Sequence, residues 1–411
     1  MNDLKSRRAF LETMGQLGAG GLVVAGTGLE TSRGYAANDT LQVACLGTGG
    51  RCRALMKSLA QVPNVRIVAL CDLYEPHLEA ARKLADPKAS VNQDYRQLLD
   101  RKDIDAVVIG SPDHWHVPMT VDACKANKDV YVEKPLTHNL EEGNAVIQAQ
   151  NANRRVVQVG TQQRSMTHIR KAKELVDQGR IGKILKVHLT WNRNTRSRFK
   201  RDPLGIDAKQ VDWKAFLGSA PDQPFDEYRF RNWRWFWDFG GGLLTDLMVH
   251  WIDVAHWFLG LDHPERAVAI GNQIATKGVW ETPDTIQCLL QYPNEIQAYF
   301  EGTFSNARNG AMIEFMGSDA TLYIDRGRYE IYPEGGKGEV EKLVLGTDPH
   351  RGRDFYDQPD GELLHLSNWV ECVRTRKTPH CPAEEGVKAA AAAHLGNKAF
   401  RSGQTATWPV S

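Results

Sequence analysis

Residues 41–72 read LQVACLGTGGRCRALMKSLAQVPNVRIVALCD, and the order of residue types in this stretch decides the fold. Leu41–Leu46 is a short apolar strand and Gly47-Thr48-Gly49-Gly50-Arg51-Cys52 a glycine-rich turn. Ala54–Ala60 is an expected helix, and Val65–Cys71 a second apolar strand that ends at Asp72. Strand, turn, helix, strand and acid within one unit is the context in which a glycine motif becomes a dinucleotide fingerprint. Gly47 permits the tight turn, Gly49 lets the backbone approach a pyrophosphate, and the next helix offers free N–H groups to phosphate. Thr48, Gly50 and Arg51 complete the cradle. Cys52 stands where the pattern has its third glycine, which asks for looser helix–strand packing. Asp72 can bond both ribose hydroxyls and repel a 2′-phosphate, which favours NAD over NADP. Arg51 complicates this preference if it neutralises Asp72.

Outward from this unit the alternation continues. Asp105–Gly110, Val130–Glu133 and Val156–Gly160 read as strands, and Val117–Asn127 and Leu140–Asn153 as helices, which predicts a doubly wound parallel sheet over residues 38–161. Ligands on such sheets sit beyond the carboxyl ends of the strands. Ser111-Pro112-Asp113-His114-Trp115-His116 and Glu133-Lys134-Pro135 both fall there. Ser111, Pro112, His114, Trp115, His116, Glu133, Lys134 and Gln162 are therefore candidate cofactor contacts.

After Gly160 strands follow one another: Lys183–Trp191, Arg266–Thr276, Thr285–Gln291, Gln297–Phe304, Ala311–Met316 and Ala320–Ile324. This predicts an α+β domain over 162–380 with a large open, mostly antiparallel sheet, and a C-terminal helix and tail over 381–411 packing back on the body. Gly240-Gly241-Gly242 announces a helix over Leu243–Leu259 that carries Asp246, His250 and Asp253 on one face. A carboxylate four residues from a histidine can orient and polarise the imidazole of a general base. A metal reading lacks a third ligand, because His256 points away from that face. Upstream, Arg231-Asn232-Trp233-Arg234-Trp235-Phe236-Trp237 is either a filled domain interface or a platform for sugar rings. Arg193, Arg196, Arg198, Lys200 and Arg201 make a basic loop, either solvated or set to receive an acidic sugar.

The chain holds 411 residues, with 51 Lys+Arg against 50 Asp+Glu and seven Cys. A net charge of +1 excludes a strongly basic nucleic-acid binder. Seven Cys without a CxxC pair fit neither a zinc ribbon nor a disulfide-stapled miniature. No apolar run is long enough for a spanning helix. Ser6-Arg7-Arg8-Ala9-Phe10-Leu11, then LGAGGLVVAGTGL at 17–29 and Gly34-Tyr35-Ala36, resembles a twin-arginine export signal with its cleavage site. The other reading is a basic tail beside a short core helix. As a signal, residues 1–36 imply the export machinery as a partner, a periplasmic or otherwise exported protein, and a mature net charge of zero. Export after folding also lets the cysteines be buried thiols.

Taken together, GTGG at 47–50 with Asp72, SPDHWH at 111–116, EKP at 133–135 and GGGLLTDLMVHWID at 240–253 resemble the glucose–fructose oxidoreductase/inositol dehydrogenase/MocA (Gfo/Idh/MocA) family, in its twin-arginine-exported branch. The resemblance implies a two-domain oxidoreductase with NAD(P), tightly bound, on the Rossmann half. It implies a sugar, polyol or glycoside against the open sheet, and a homodimer or homotetramer built on that sheet. It places Lys134, Asp246 and His250 at the reacting centre: His250 steadied by Asp246 removes the hydroxyl proton and Lys134 bonds the same oxygen. Pro135 is expected to hold a constrained bond, and Met248 stands where many members have Gly. Arg164, Arg231, Trp235 and Trp237 join Lys134, Asp246 and His250 as expected sugar contacts. Two rivals remain: a glycoside hydrolase or lyase using transient sugar oxidation, which Lys134 disfavours, and a non-catalytic sugar or nucleotide sensor.

Overall fold

The computed structural model describes residues 40–195, 199–345 and 361–408, all within the second of two compact units, Ala36–Ser411. The export reading of residues 1–36, and Arg196 and Arg198 of the basic loop, lie outside the described residues.

The first sheet holds six strands among these residues: β1 (Leu41–Leu46), β2 (Val65–Cys71), β3 (Ser90–Asn92), β4 (Ala106–Ile109), β5 (Asp129–Val132) and β6 (Val157–Val159). They are all parallel in the order β3-β2-β1-β4-β5-β6. β4 and β5 are buried on both faces, the mark of a sheet sandwiched by helices. Strand β3 escapes the hydrophobic pattern because it is short and only half buried. The first helix begins at Gly50, four residues before the expected start, so its N-terminus abuts the glycine turn. Cys52, Leu55, Met56 and Leu59 form its buried stripe at helical spacing.

The second sheet has nine strands among the described residues: β7 (Ile184–Asn192), β8 (Arg266–Asn272), β9 (Thr285–Gln291), β10 (Gln297–Thr303), β11 (Ala311–Gly317), β12 (Ala320–Asp325), β13 (Arg328–Pro333), β14 (Glu341–Val344) and β15 (Ala406–Thr407). Their order is β14-β13-β12-β11-β7-β10-β9-β8-β15, antiparallel except for the β7–β10 pair. The fold is therefore a parallel Rossmann sheet followed by a mixed, mostly antiparallel open sheet. One face carries the core: Leu189, Ile286, Leu290, Phe300, Ile313 and Phe315 belong to one buried cluster with residues of the helices Val249–Leu259 and Ala383–Ser402.

The C-terminal helix Gly361–Thr375 folds back onto the first helix of the Rossmann half, and Ala383–Ser402 packs mainly on β8 and the helix Val249–Leu259 while also touching β6. Cys381 and Ala383 belong to the Rossmann core, and Val159 N–H donates to the Cys381 carbonyl at 3.0 Å. All seven cysteines are buried free thiols. No helix among the described residues is long and apolar enough to cross a membrane.

Candidate active site

The glycine turn leaves a cradle that side chains would fill. Gly47 has φ +74°, and a Cβ built there would lie 2.6 Å from the Ser111 backbone. Gly49 ends the turn as the N-cap of the helix that follows, with no side-chain cap, and Gly49 and Gly50 line the adjoining cavity, where the helix N-terminus is suited to phosphate. Cys52 costs no loosening: Gly110 faces it, and a Cβ on Gly110 would come within 2.7 Å of the Cys52 Cβ. The close helix–strand approach is kept by moving the missing side chain to the facing strand.

Two adjoining cavities open there. The smaller, about 420 Å³, is lined by Gly47, Gly49, Asp72, Ser111, Pro112 and Trp115 among others. Asp72 accepts from Thr48 Oγ1 at 3.2 Å and from the Tyr74 N–H at 3.0 Å, and His77 Nδ1 lies 3.4 Å off. Arg51 does not pair with Asp72, so the complication it posed for the NAD preference does not arise. Arg51 donates to Glu133 at 2.8 Å and pairs with Glu362, which also accepts from Ser58 at 2.6 Å. These residues fit a nicotinamide dinucleotide: a cradle without side chains, a helix N-terminus for its phosphates and an acid for its ribose.

The larger cavity, about 1110 Å³, runs from Gly50 and Arg51 past His116, Glu133, Lys134 and Gln162 to Asp246 and His250. The bond between Lys134 and Pro135 is cis. Lys134 Nζ donates to the Asp246 carbonyl at 2.6 Å and to its Oδ1 at 2.9 Å. Arg234 Nε donates to the same Oδ1 at 3.2 Å. Burial raises the Asp246 carboxyl pKa, but Lys134 and Arg234 outweigh it and hold the group at about 2.

Asp246 does not steady His250. The His250 imidazole lies against the Trp191 ring, centroids 5.0 Å apart, and its Nδ1 is 3.1 Å from Gln163 Oε1. The backbone explains the change of partner. Residues Leu244–Met248 form a π turn, so the cleft helix opens wider than α and carries Asp246 toward Lys134. Burial, then the cations Lys134, Arg326, Arg51 and Arg193, push the His250 pKa well below 6.5, so the ring is neutral. With Nδ1–H assigned to the Gln163 acceptor, Nε2 is left as the acceptor in the cleft.

Four expected contacts line neither cavity: Thr48, buried with its hydroxyl on Asp72, and three that lie elsewhere. Arg164 is buried in a bidentate pair with Asp253, at 2.8 and 2.9 Å, and also reaches Glu385 at 3.0 Å, lining neither cavity. The cleft ends at His250, and the next turn of the helix, with Asp253, is covered by the C-terminal helix. Trp237 packs beside Phe400 with Arg401 over its ring, on the far side of its segment. His114 is buried with Nε2 2.8 Å from the Phe216 carbonyl, tying the two halves together rather than facing a cavity. Trp235 lines the large cleft, stacked on Trp280 at 4.4 Å. Arg231 lines both cavities.

Gln163, Trp191 and Trp280 carry no signal in the sequence as site residues, and Asp113 and Arg234 stand inside segments read as ligand-facing without a role of their own. Asp113 is 4% exposed, and burial drives its pKa well up against the pull of Arg234 and Lys134. It stands inside the SPDHWH motif, and Gln163 adjoins Gln162. Nothing in sequence spacing points to Trp191, which reaches the cleft only because β7 runs under His250.

The oxidoreductase family profile for an NAD-binding Rossmann fold matches residues 41–161, and that for the C-terminal alpha/beta domain matches 173–408. The chain belongs to this class of two-domain oxidoreductases, the Gfo/Idh/MocA family. It is 23% identical over 382 residues to the uncharacterized oxidoreductase YrbE of Bacillus subtilis (strain 168), covering 89% of this chain and 95% of that one. It is 26% identical over 337 residues to the scyllo-inositol 2-dehydrogenase (NAD(+)) of the same strain, covering 78% and 82%. A levoglucosan dehydrogenase solved with NADH and levoglucosan shares the fold at TM-score 0.70 and 18% identity, over 90% of this chain and 100% of that one.

Proposed function

We propose that this protein is an NAD-dependent oxidoreductase that converts a hydroxyl of a sugar, polyol or glycoside to a ketone, or the reverse. The observation that carries the reading is that the cavity lined by Lys134, Asp246 and His250 adjoins the one lined by Gly47, Gly49 and Asp72, the two sharing Gly50, Arg51, Gly110 and Ser111. A bound nicotinamide dinucleotide supplies a hydride acceptor or donor at ring carbon C4. His250 Nε2 takes the hydroxyl proton as the carbon–hydrogen bond breaks. The Lys134 ammonium has three protons, two spent on Asp246, and the third is free to bond the substrate oxygen as charge develops. Asp246 positions Lys134 instead of polarising the histidine. Asp72 supports NAD over NADP, since no Lys or Arg pairs with it among the described residues.

The sugar reading draws on the inositol and levoglucosan dehydrogenases above and on the aromatic wall of Trp191, Trp235 and Phe304. Residues 1–36 support export by the twin-arginine route. A free nicotinamide pool is absent outside the cytoplasm, so the dinucleotide stays bound and a second sugar recycles it. The exposed apolar side chains of the open sheet support pairing with a second copy.

The test uses protein recovered from the periplasm of an expressing cell. It is denatured, its nucleotide identified, and the refilled protein given a panel of sugars and glycosides scored for keto product and aglycone release. Keto product that falls at least about a hundredfold in His250→Ala and Lys134→Ala is expected. Aglycone release without net keto product identifies the redox-assisted hydrolase instead. Near-wild-type rates in both variants overturn the assignment.

A further inference from the structure

The smaller cavity has a wall that a Rossmann unit alone does not possess. Asp212, Phe216, Phe230 and Arg231 come from the second half of the chain and face Gly47, Gly49 and Asp72 across it. Several contacts lash this segment to the Rossmann half. Asp212 N–H donates to the Leu73 carbonyl at 3.1 Å, beside an isolated bridge between Tyr74 and Val211. The Phe216 carbonyl accepts from Trp115 Nε1 at 3.0 Å and lies 2.8 Å from His114 Nε2. Phe230 packs on the Tyr74 and His77 rings at 5.5 and 6.5 Å.

The two cavities meet between Gly50, Arg51, Gly110 and Ser111 on one side and Arg231, Trp233 and Arg234 on the other. A dinucleotide laid through both crosses this junction at its pyrophosphate, because that group sits at the helix N-terminus after the glycine turn. Three guanidinium groups surround the junction. Arg51 is engaged by Glu133 and Glu362, and Arg234 by Asp246. Arg231 is exposed and makes no ion pair among the described residues. A planar fork without an acidic partner, set over a doubly charged diphosphate, is suited to bidentate binding.

We propose that residues 211–234 form a strap that retains the dinucleotide, with Arg231 as its clamp on the pyrophosphate. Arg231 thus belongs to the cofactor rather than to the sugar. Exit of the nucleotide requires the strap to lift from Leu73, His114 and Trp115, so dissociation is slow and the cofactor stays through many turnovers. The inference rests on the functional reading only in that a dinucleotide binds.

The experiment loads the full-length protein with NADH and follows loss of bound fluorescence after adding excess NAD. Arg231→Ala is expected to speed release at least tenfold, with Arg231→Lys between it and the wild type. Raised salt should speed wild-type release more than that of Arg231→Ala, because the lost contact is ionic. Trp115→Phe, which removes one lashing bond without changing charge, should also speed release. Release from Arg231→Ala within twofold of the wild type overturns the clamp, and the same result for Trp115→Phe overturns the strap. A wild type that binds no NADH overturns strap and function together. A wild type that holds NADH but oxidises no sugar overturns only the function, and the release rates still judge the strap.

Discussion

The His250 imidazole, the proposed base, can accept a proton only while neutral, and its surroundings keep it so. Burial and the nearby cations Lys134, Arg326, Arg51 and Arg193 all disfavour the imidazolium. Because the folded pKa lies well below 6.5, the ring stays an acceptor through neutrality and fills with protons only in acid. The rate of alcohol oxidation, as kcat/KM, is therefore expected to stay level as pH falls through 6.5 and to decline only below it. A profile recorded from pH 8 to pH 4.5 checks this, and an acid limb at or above 6.5 overturns the assignment of the base. In ketone reduction the same ring must arrive protonated, so that rate should rise as pH falls. Asp246 stays ionised across this range, its carboxyl held at about 2, so the limb belongs to the histidine and not to the Lys134 anchor.

Two elements are shaped by what they face rather than by their own pattern. The helix after the glycine turn lacks the third glycine of its motif, yet it approaches β4 closely because Gly110 takes over that role. Gly110→Ala should cost about 1–3 kcal/mol, as overpacking does in a tight core. The double variant Gly110→Ala/Cys52→Gly should recover much of that loss. Urea unfolding of the three proteins checks the pair; equal midpoints for wild type and Gly110→Ala would sink the account. The cleft helix is the second case. Its opening π turn carries Asp246 to Lys134 while His250 stays under Trp191, a partition that uniform helical spacing does not produce. That Asp246 and His250 both line the cleft was legible from their residue types and spacing, but the pairing expected between them is not formed. Their actual partners, Lys134 and Gln163, were not legible, because both come from loops at the end of the other sheet.

Among the described residues the open sheet presents an exposed apolar patch. Ile270 on β8 is 69% exposed and Val268 and Leu289 each 43%, on the face opposite the core. Side chains of this size rarely cluster in water without a partner. Around them His188 stacks on Tyr299 and reaches toward Glu314 at 3.6 Å, so the face mixes apolar and charged groups as an interface does. The expected outcome is a dimer or tetramer in light scattering, and Ile270→Asp together with Leu289→Asp should shift it toward monomer while the fold persists. A monomeric wild type at micromolar concentration overturns the pairing.

Alternating strands and helices, the glycine turn ending at Asp72 and the run of later strands determined by themselves that a parallel Rossmann sheet precedes an open sheet. Such features depend on local periodicity and backbone demand, which neighbours in sequence carry. The edge strands β3, β14 and β15, and β13 beside β14, lay below that signal. The choice of partner was decided only by tertiary structure. Arg51 and Arg164 both read as ligand contacts and both are drawn into ion pairs by carboxylates far along the chain, Glu362 and Glu385 among them; Arg51 still lines both cavities, whereas Arg164 lines neither. Arg231 found no such partner among the described residues and so remained available at the junction of the two cavities. A buried or half-buried charge settles on the nearest opposite charge in space, and that distance is fixed by how the two halves and the returning C-terminal helices pack.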